Sequence, residues 1–230
     1  MKHILLSLLL LPALAFASEA NITVKAPVDL SDHESLQRGA RTFVNYCLNC
    51  HSANYMRYNR LKDIGLTEKQ IKDNLLFAGE KVGDTMRVSI DPVEAKKWFG
   101  AAPPDLSVEV RARGADWVYA YLRGFYKDDS RPTGWNNTVY DKVAMPHVLY
   151  ELQGEQVLNH ETHELELVKP GKLSPAEYNA MVGDLTNFMA FMAEPAKQSR
   201  QYIGILVLLF LGVMLVLAKK IKAEYWKDIK

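Results

Sequence analysis

Five consecutive residues, Cys47-Leu48-Asn49-Cys50-His51, bring two thiols and an imidazole together in this sequence. The spacing C-x-x-C-H is the one through which a c-type haem is covalently attached. Two thiols that add to the two vinyl groups of one porphyrin must lie about one helical turn apart, and the next histidine can then bind the iron. The chain has no other cysteine among its 230 residues. The motif therefore predicts one covalent haem c, with His51 as an iron ligand.

Two other kinds of site are alternatives to the haem. A structural zinc site would need two further ligands, for which His160 and His163 are candidates. A thioredoxin-like dithiol would need Cys47 to follow a strand and open a helix. The motif instead follows a helical pattern from Leu36 to Tyr46, with no βαβ pattern around it. The specificity of the five-residue pattern favours the haem over both alternatives and over chance.

The N-terminus has the three parts of a secretory signal peptide. A short basic start at Met1-Lys2-His3 is followed by an apolar stretch, Ile4 to Leu11, and by the small-x-small sequence Ala15-Phe16-Ala17. We expect residues 1–17 to be cleaved and the mature chain to begin at Ser18. The following domain would then be exported to the periplasm.

The C-terminal region contains a candidate membrane span. The 17 residues from Tyr202 to Ala218 are uncharged and almost wholly apolar. As a helix they would extend about 26 Å, just enough for a bilayer core with aromatic and basic flanks. Lysines dominate the tail, which by the positive-inside rule is cytoplasmic. We predict a transmembrane anchor over 200–220 and a cytoplasmic tail over 221–230, with a buried core helix as the alternative.

Residues 18–199 form the predicted periplasmic domain, which carries a net charge of −4. Such mild acidity is typical of ordinary solubilising charge, with a basic redox partner as the alternative, and nothing indicates binding to nucleic acid. A helix approaches the haem motif, and Gly39 within it suits close crossing by a second helix. That second helix begins at Ser174-Pro175, where Glu177 completes a capping box. Alternating residues between Glu151 and Lys172 predict a small β-hairpin before it. The layout is mainly α, with two helices flanking a haem-bearing middle.

Further motifs in the middle of the chain carry a more specific resemblance. They are Tyr55-Met56-Arg57-Tyr58, Pro103-Pro104-Asp105-Leu106-Ser107, Arg111-Ala112-Arg113 and Ala144-Met145-Pro146. In this order, between a signal peptide and a C-terminal anchor, the chain resembles the cytochrome c1 family, the haem-c subunits of ubiquinol–cytochrome c reductase. The resemblance covers essentially the whole mature chain. It implies a class I c-type cytochrome fold with inserted loops, and a dimeric complex with cytochrome b and a Rieske iron–sulfur protein.

The sixth ligand of the iron is sought among the methionines, because a thioether raises the reduction potential relative to a second histidine. Met181, Met189 and Met192 fall on the apolar face of the C-terminal helix, where core packing is expected. Met56 lies too close behind His51 to reach the opposite haem face, and Met86 lies in a plausible loop. Met145 precedes Pro146, which stiffens its segment, and the resemblance also selects Met145. Met86, another ligand or an open site remains the alternative.

Three further residues are candidates for holding the haem and its ligand. A carbonyl of the rigid Pro103-Pro104 pair, with Pro104 as the candidate, is the expected acceptor for the second ring nitrogen of His51, as in related c-type cytochromes. A plain polyproline turn is the alternative. Arg111 or Arg113 could neutralise the haem propionates, and the resemblance favours Arg113. Two solvated arginines are the alternative. Aromatic residues expected in the pocket walls and core are Trp117, Tyr119, Tyr121, Phe125, Tyr126, Trp135 and Tyr140.

These residues predict a one-electron carrier in a bacterial inner membrane. The resemblance implies that it accepts electrons from the Rieske cluster and passes them to a c-type cytochrome, and that substrate chemistry belongs to its partners. One alternative is a membrane-anchored c-type electron shuttle outside the quinol complex. The other is a membrane-anchored thiol–disulfide oxidoreductase that uses Cys47 and Cys50.

Overall fold

The computed structural model describes residues 22–228, so the predicted signal peptide over 1–17 lies outside the described residues. The helices are α1 His33–Thr42, α2 Glu68–Asn74, α3 Pro92–Phe99, α4 Glu109–Arg113, α5 Ala115–Arg123, α6 Tyr150–Gln153, α7 Pro175–Ala193 and α8 Lys197–Tyr225. A π-helical turn, Phe43–Cys47, and a 3-10 helix, Tyr58–Ile64, follow α1 and β1 respectively. The strands are β1 Ala53–Arg57, β2 Thr85–Met86, β3 Phe125–Lys127, β4 Trp135–Asn137, β5 Gly154–Leu158 and β6 Leu165–Pro170.

Side-chain caps determine where the two principal helices begin. Asp32 accepts a hydrogen bond from the main-chain N–H of Ser35 at the start of α1. At the start of α7, Ser174 and Glu177 form the reciprocal capping box, with Pro175 in the first turn. Each cap pairs a main-chain donor that the helix itself cannot satisfy. The predicted start of α7 is confirmed.

The core is built where α1 crosses α7. A Cβ at Gly39 would overlap the main-chain oxygen of Asp184 and the Cβ of Phe188, so only glycine allows this approach. Phe43 and Phe188 lie beside the crossing with ring centroids 5.6 Å apart. Arg38 closes its edge by donating two hydrogen bonds to the Asp184 carboxylate. The close crossing expected from Gly39 is confirmed.

The helix that leads to the haem motif changes its winding before it reaches Cys47. The α-helical part ends at Thr42, and the next five residues wind as a π-helical turn. The main-chain N–H of Leu48 donates to the carbonyl of Phe43, five residues back, at 3.0 Å. Such wider turns occur often at functional sites. The sequence pattern predicted the helix as far as Tyr46 but not this widening.

Residues 22–228 contain three two-stranded antiparallel sheets: β1 with β2, β3 with β4, and β5 with β6. The last is the hairpin predicted between Glu151 and Lys172, with Val157 opposite Glu166. The fold is therefore helix-rich with small sheets and one C-terminal apolar helix, as predicted.

Helix α8 is 29 residues long and contains the apolar segment from Tyr202 to Ala218. Its most apolar 18-residue window has a mean hydropathy of 2.5, and none of the described residues of the helix is buried. Among residues 22–228 it is the one helix long and apolar enough to cross a membrane. At 1.5 Å per residue it measures about 43 Å, so it would extend beyond a hydrocarbon core of about 30 Å.

The crossing at Gly39 gives a stability prediction. We expect Gly39→Ala to lower the free energy of unfolding by about 1–3 kcal/mol, because the methyl group would meet main-chain atoms of α7 that cannot rotate away. Urea unfolding of the full chain in detergent measures the change. The matched control is Gly83→Ala, since a Cβ at Gly83 would meet no atom within 4 Å. Equal stability of the two variants would contradict the crossing as described.

Candidate functional site

The C-x-x-C-H motif folds into one tight turn at the end of the π-helical segment. The main-chain N–H groups of Cys50 and His51 both donate to the carbonyl of Cys47, at 3.1 and 2.9 Å. Both cysteines are partly exposed and do not form a disulfide. The turn therefore holds the two thiols and the imidazole as one compact unit, with a helix leading into it.

The environment of Cys47 argues against a reactive dithiol. Burial raises the pKa of the Cys47 thiol to about 12, and the neighbouring Cys50 adds to the shift. Thiol–disulfide oxidoreductases instead lower the pKa of the attacking thiol, since the thiolate is the nucleophile. Cys47 also follows a helix and not a strand. Neither feature of the redox alternative is present.

His51 is oriented through one of its two ring nitrogens. Nδ1 lies 2.8 Å from the carbonyl oxygen of Pro104, and because that oxygen only accepts, Nδ1 must donate the proton. Burial lowers the pKa of His51 below its ordinary value, although the Pro104 hydrogen bond opposes the shift. The neutral ring then carries its lone pair on Nε2, the nitrogen that can bind a metal.

The segment that contains Pro104 is itself fixed to the chain just after the motif. Asp105 accepts hydrogen bonds from the main chain and side chain of Asn54, at 2.8 and 2.7 Å. The N–H of Leu106 donates to the carbonyl of Ser52 at 2.9 Å. These bonds set the position of the Pro104 carbonyl. The sequence does not reveal this role of Asp105, because the pattern Asp-x-Ser indicates only the local turn to Ser107.

Met145 is partly buried beside a small aromatic cluster. It packs against Phe125, Trp135 and Val143, which are buried. The hydroxyl of Tyr121 lies 3.4 Å from its sulfur and donates to it. The thioether therefore has a defined position although its segment lacks regular secondary structure.

A second possible iron ligand, His147, lies two residues beyond Met145 and is not among the residues predicted from the sequence. Its ring is only 3% exposed and stacks on Phe125 with centroids 4.7 Å apart, while Trp135 packs edge-on at 5.0 Å. Burial lowers the pKa of His147 to about 4, despite a polar contact with Gln153. Pro146 before it and the two rings around it hold the Met145 segment. No sequence signal separates this histidine from an exposed one.

The other methionines considered as ligands lie in the core or pack against it. Met86 lies in strand β2, opposite Ala53, and is fully buried, so the expectation that it lies in a loop was wrong. Pairing with β1 draws this short segment into the interior. Met56 is also buried. On α7, Met181 is partly buried and Met189 and Met192 are buried, as packing positions should be.

Arg111 and Arg113 make contacts on different sides of α4. The guanidinium of Arg113 lies 4.5 Å from the ring centroid of Trp117, and its Nε donates to Glu109 at 2.5 Å. Trp117 in turn stacks on Tyr121, with centroids 5.0 Å apart. Arg113 is thus connected through two rings to the sulfur of Met145. The sequence alone does not show which of Arg111 and Arg113 is connected to Met145.

Arg111 instead joins the base of the C-terminal helix. Its terminal nitrogen donates to Glu194 at 2.8 Å, and Arg200 reaches the same carboxylate oxygen at 3.2 Å. Glu194 closes α7 and lies three residues before the start of α8. The partners are 83 residues apart in sequence, and no local pattern indicates their contact.

His160 and His163 lie in the loop between β5 and β6, where the main-chain N–H of His163 donates to Asn159. His163 also lines an open groove of about 720 Å³ that contains none of the motif residues. Within residues 22–228, no group of three or more histidine, cysteine or acidic side chains is placed to hold a metal ion. The zinc alternative, which needs both histidines beside Cys47 and Cys50, has no support from this arrangement.

A family model decides what kind of chain this is. The model described as the Cytochrome C1 family matches residues 22–84 and 78–229. The chain belongs to the cytochrome c1 family. Membership in this family implies a covalent haem c.

Individual relatives match over nearly the full chain. Cytochrome c1 of Allochromatium vinosum is 48% identical, with 96% of each chain covered. A Nitrosomonas europaea protein named ammonia monooxygenase gamma subunit is 52% identical, covering 99% of this chain and 98% of its own. The mitochondrial cytochrome c1 haem protein of Saccharomyces cerevisiae is 25% identical, covering 89% of this chain and 70% of its own.

A solved structure shares the fold. A chain of a hyperthermophilic respiratory Complex III aligns with all of this chain and 95% of its own, with a TM-score of 0.50 and 16% identity. Helix α8 and the family together support a membrane-anchored protein.

The residues present fit the haem that the family implies. The motif supplies two thiols that are not bonded to each other, and His51 supplies an imidazole whose Nδ1 is already occupied. Met145 supplies a soft sulfur held at a fixed place. No other cysteine competes for the vinyl groups.

The motif gives an attachment prediction. Cys47→Ser or Cys50→Ser should leave at most one thioether bond, and the double variant should lack covalent haem, because serine hydroxyls do not add to the vinyl groups. Haem staining after denaturing electrophoresis and a pyridine haemochrome spectrum measure this. We also expect the double variant to be degraded, since the haem fills the core of this class of domain. Recovery of a stable, haem-free double variant would overturn the assignment.

Proposed function

We propose that this chain carries single electrons as the haem c subunit of a quinol–cytochrome c reductase complex. The observation that supports it best is the C-x-x-C-H turn with His51 held on the Pro104 carbonyl, in a chain that matches the cytochrome c1 family throughout its described length. Electrons would arrive from a Rieske iron–sulfur subunit and leave to a c-type cytochrome. Cytochrome b would be the membrane partner, in a dimeric complex.

The haem would be held by four side chains. Cys47 and Cys50 would form the two thioether bonds, and His51 Nε2 and the Met145 sulfur would be the axial ligands. When bound, the haem supplies reversible one-electron chemistry at iron. The hydrogen bond from Nδ1 to Pro104 fixes the tautomer and ring angle of His51 and makes it a better donor. A thioether ligand from Met145 would favour a higher reduction potential than a second imidazole.

Met145 is a better candidate than His147 for the second axial position. The imidazole of His147 stacks on Phe125 and meets Trp135 edge-on, and these two rings hold it in place. Met145, in contrast, is a partly exposed residue whose sulfur accepts a hydrogen bond from Tyr121. Sulfur accepts hydrogen bonds weakly, so a lone pair can still bind iron.

Arg113 is the better candidate for neutralising a propionate. It extends the aromatic wall that includes Trp117 and Tyr121, whereas Arg111 is bonded to Glu194. Because Glu109 is bonded through Nε, the two terminal nitrogens are the part of the Arg113 guanidinium that would meet a carboxylate.

The orientation in the membrane follows from charge. Lys219, Lys220 and Lys222 follow the apolar stretch directly, which favours a cytoplasmic tail over 221–230. The haem domain, 18–199, would then face the periplasm of a bacterial inner membrane, with the span over 200–220. A signal peptide over 1–17 would give the same orientation.

Two alternatives differ from this assignment in their partners. One is a tethered c-type electron shuttle outside the quinol complex. The other is a subunit of an ammonia monooxygenase, which is the name given to the relative from Nitrosomonas europaea. Proteins that co-purify with this chain separate the three, because only the reductase subunit brings b-type haem and an iron–sulfur cluster with it.

The axial ligand gives the next prediction. Met145→Leu keeps the volume and removes the sulfur, so the ferric sulfur-to-iron charge-transfer band should vanish and the reduction potential should fall. Optical spectra and redox titration of the purified full chain measure both effects. Met189→Leu, a buried change of the same kind on α7, is the matched control and should leave the band intact. Loss of the band from Met86→Leu, with Met145→Leu normal, would move the ligand.

The anchor gives a prediction about assembly. Truncation after Ser199 removes almost all of α8, none of whose residues is buried, so the remaining domain should still mature with haem and an unchanged spectrum. The full chain should co-purify from membranes with b-type haem and an iron–sulfur protein, and the truncated chain should not. Loss of haem on truncation would refute the division into domain and anchor. Purification of the full chain without either partner would favour a shuttle.

A further inference from the structure

Tyr121, one of the aromatic residues beside Met145, donates a hydrogen bond to the Met145 sulfur. We propose that Tyr121 is a positioning residue for the Met145 sulfur, and that its hydrogen bond shifts the iron equilibrium toward the reduced state. The inference deepens the proposed function and rests on Met145 being an axial ligand. Nothing in the sequence pattern distinguishes Tyr121 from its aromatic neighbours.

The geometry gives the hydroxyl a defined direction. Tyr121 Oη lies 3.4 Å from Met145 Sδ, within hydrogen-bond range for sulfur. A phenol has a pKa of about 10, so it donates a proton at neutral pH, and a thioether sulfur can only accept. Donor and acceptor are therefore assigned by their chemistry.

Packing against two aromatic rings holds the ring in this position. Trp117 stacks on Tyr121 with centroids 5.0 Å apart and planes within 9°. Phe125 meets it edge-on at 5.2 Å, and Arg113 lies over the Trp117 ring at 4.5 Å from its centroid. Trp117, Tyr121 and Phe125 recur at intervals of four residues, along α5 and into β3. Because its neighbours hold the ring, the hydroxyl stays in place. Its hydrogen bond therefore restrains the sulfur.

The sign of the electronic effect follows from the charge on iron. A hydrogen bond to the sulfur draws electron density away from the lone pair that binds iron. The ferric ion depends more on that donation than the ferrous ion does, so the bond favours the reduced state and raises the potential. Without it, the sulfur is also less restrained, and an external ligand should displace it more easily.

The test uses Tyr121→Phe, which keeps the ring and removes the hydroxyl. In the full haem-loaded chain we expect the charge-transfer band to remain, and the ferrous-to-ferric ratio at a fixed potential to fall about fivefold, equivalent to about 40 mV. Binding of imidazole to the ferric form should strengthen about fivefold. The second measurement reports on positioning, which a merely structural residue would not alter.

The chain offers a matched control on the same helix. Tyr119 donates to the carbonyl of Asn179 at 3.4 Å, away from Met145, and Tyr119→Phe removes a hydroxyl of the same kind. It should leave both the potential and the imidazole affinity unchanged. A potential for Tyr121→Phe that equals the control, or rises above it, would overturn the proposal.

A second variant tests whether the hydrogen bond raises or lowers the reduction potential. Its result does not depend on how well the Tyr121→Phe variant accumulates. Tyr121→3-fluorotyrosine keeps the ring and makes the hydroxyl a stronger donor, so the potential should rise. A fall would contradict the hydrogen bond as its cause. If Met145→Leu itself left the charge-transfer band in place, the ligand assignment would fail first. The two failures are therefore distinguishable.

Discussion

The close crossing of α1 and α7 at Gly39 is the contact on which the position of the haem motif depends. Helix α1 runs through a π-helical turn straight into Cys47, so any shift of α1 would move both thiols. The missing side chain at Gly39 lets the two backbones meet, and the Phe43–Phe188 contact fills the space beside them. Interiors packed this densely resist small displacements. The motif therefore starts from a rigid base, although it lies at the end of a helix.

The two candidate axial ligands are held by different physical means. His51 is fixed by a hydrogen bond to a carbonyl, and that carbonyl is fixed by the bonds of Asp105 to Asn54. Met145 is fixed mainly by ring packing, with one weak hydrogen bond from Tyr121. Polar bonds suit an imidazole, whose second nitrogen must be paired when it is buried. A thioether has only weak acceptor capacity, so an apolar wall with one donor is the matching environment for it.

The sequence predicted the features that local chemistry determines. The cap at Ser174 and Glu177, the hairpin within 151–172 and the close approach at Gly39 each follow from residues a few positions apart or from the absence of one side chain. The C-x-x-C-H turn is equally local. These parts of the fold and of the site can be predicted from the sequence alone.

The remaining features depend on contacts between distant residues. Met86 was expected in a loop, but it pairs with β1 and is buried, because a strand partner far along the chain was available. Arg111 and Arg113 differ by two positions and share one chemistry, yet Glu194 bonds only the first. The role of Tyr121 depends on where Met145 is placed, 24 residues later. Periodicity cannot report such pairings, since it describes one element at a time.

The junction between the haem domain and the anchor shows what the chain alone can hold in place. Glu194 is shared by Arg111 of α4 and Arg200 of α8, so one carboxylate links the domain to the start of the membrane helix. Both arginines are largely exposed, and exposed ion pairs contribute at most about 1 kcal/mol each. Beyond this link, α8 has no buried residue with which to fix its angle. The apolar surface of α8 must therefore be covered from outside the chain, by lipid or by the membrane subunits of the complex. In the proposed complex, the orientation of this domain relative to the membrane would then depend on the assembly, whereas the positions of His51 and Met145 are set by this chain.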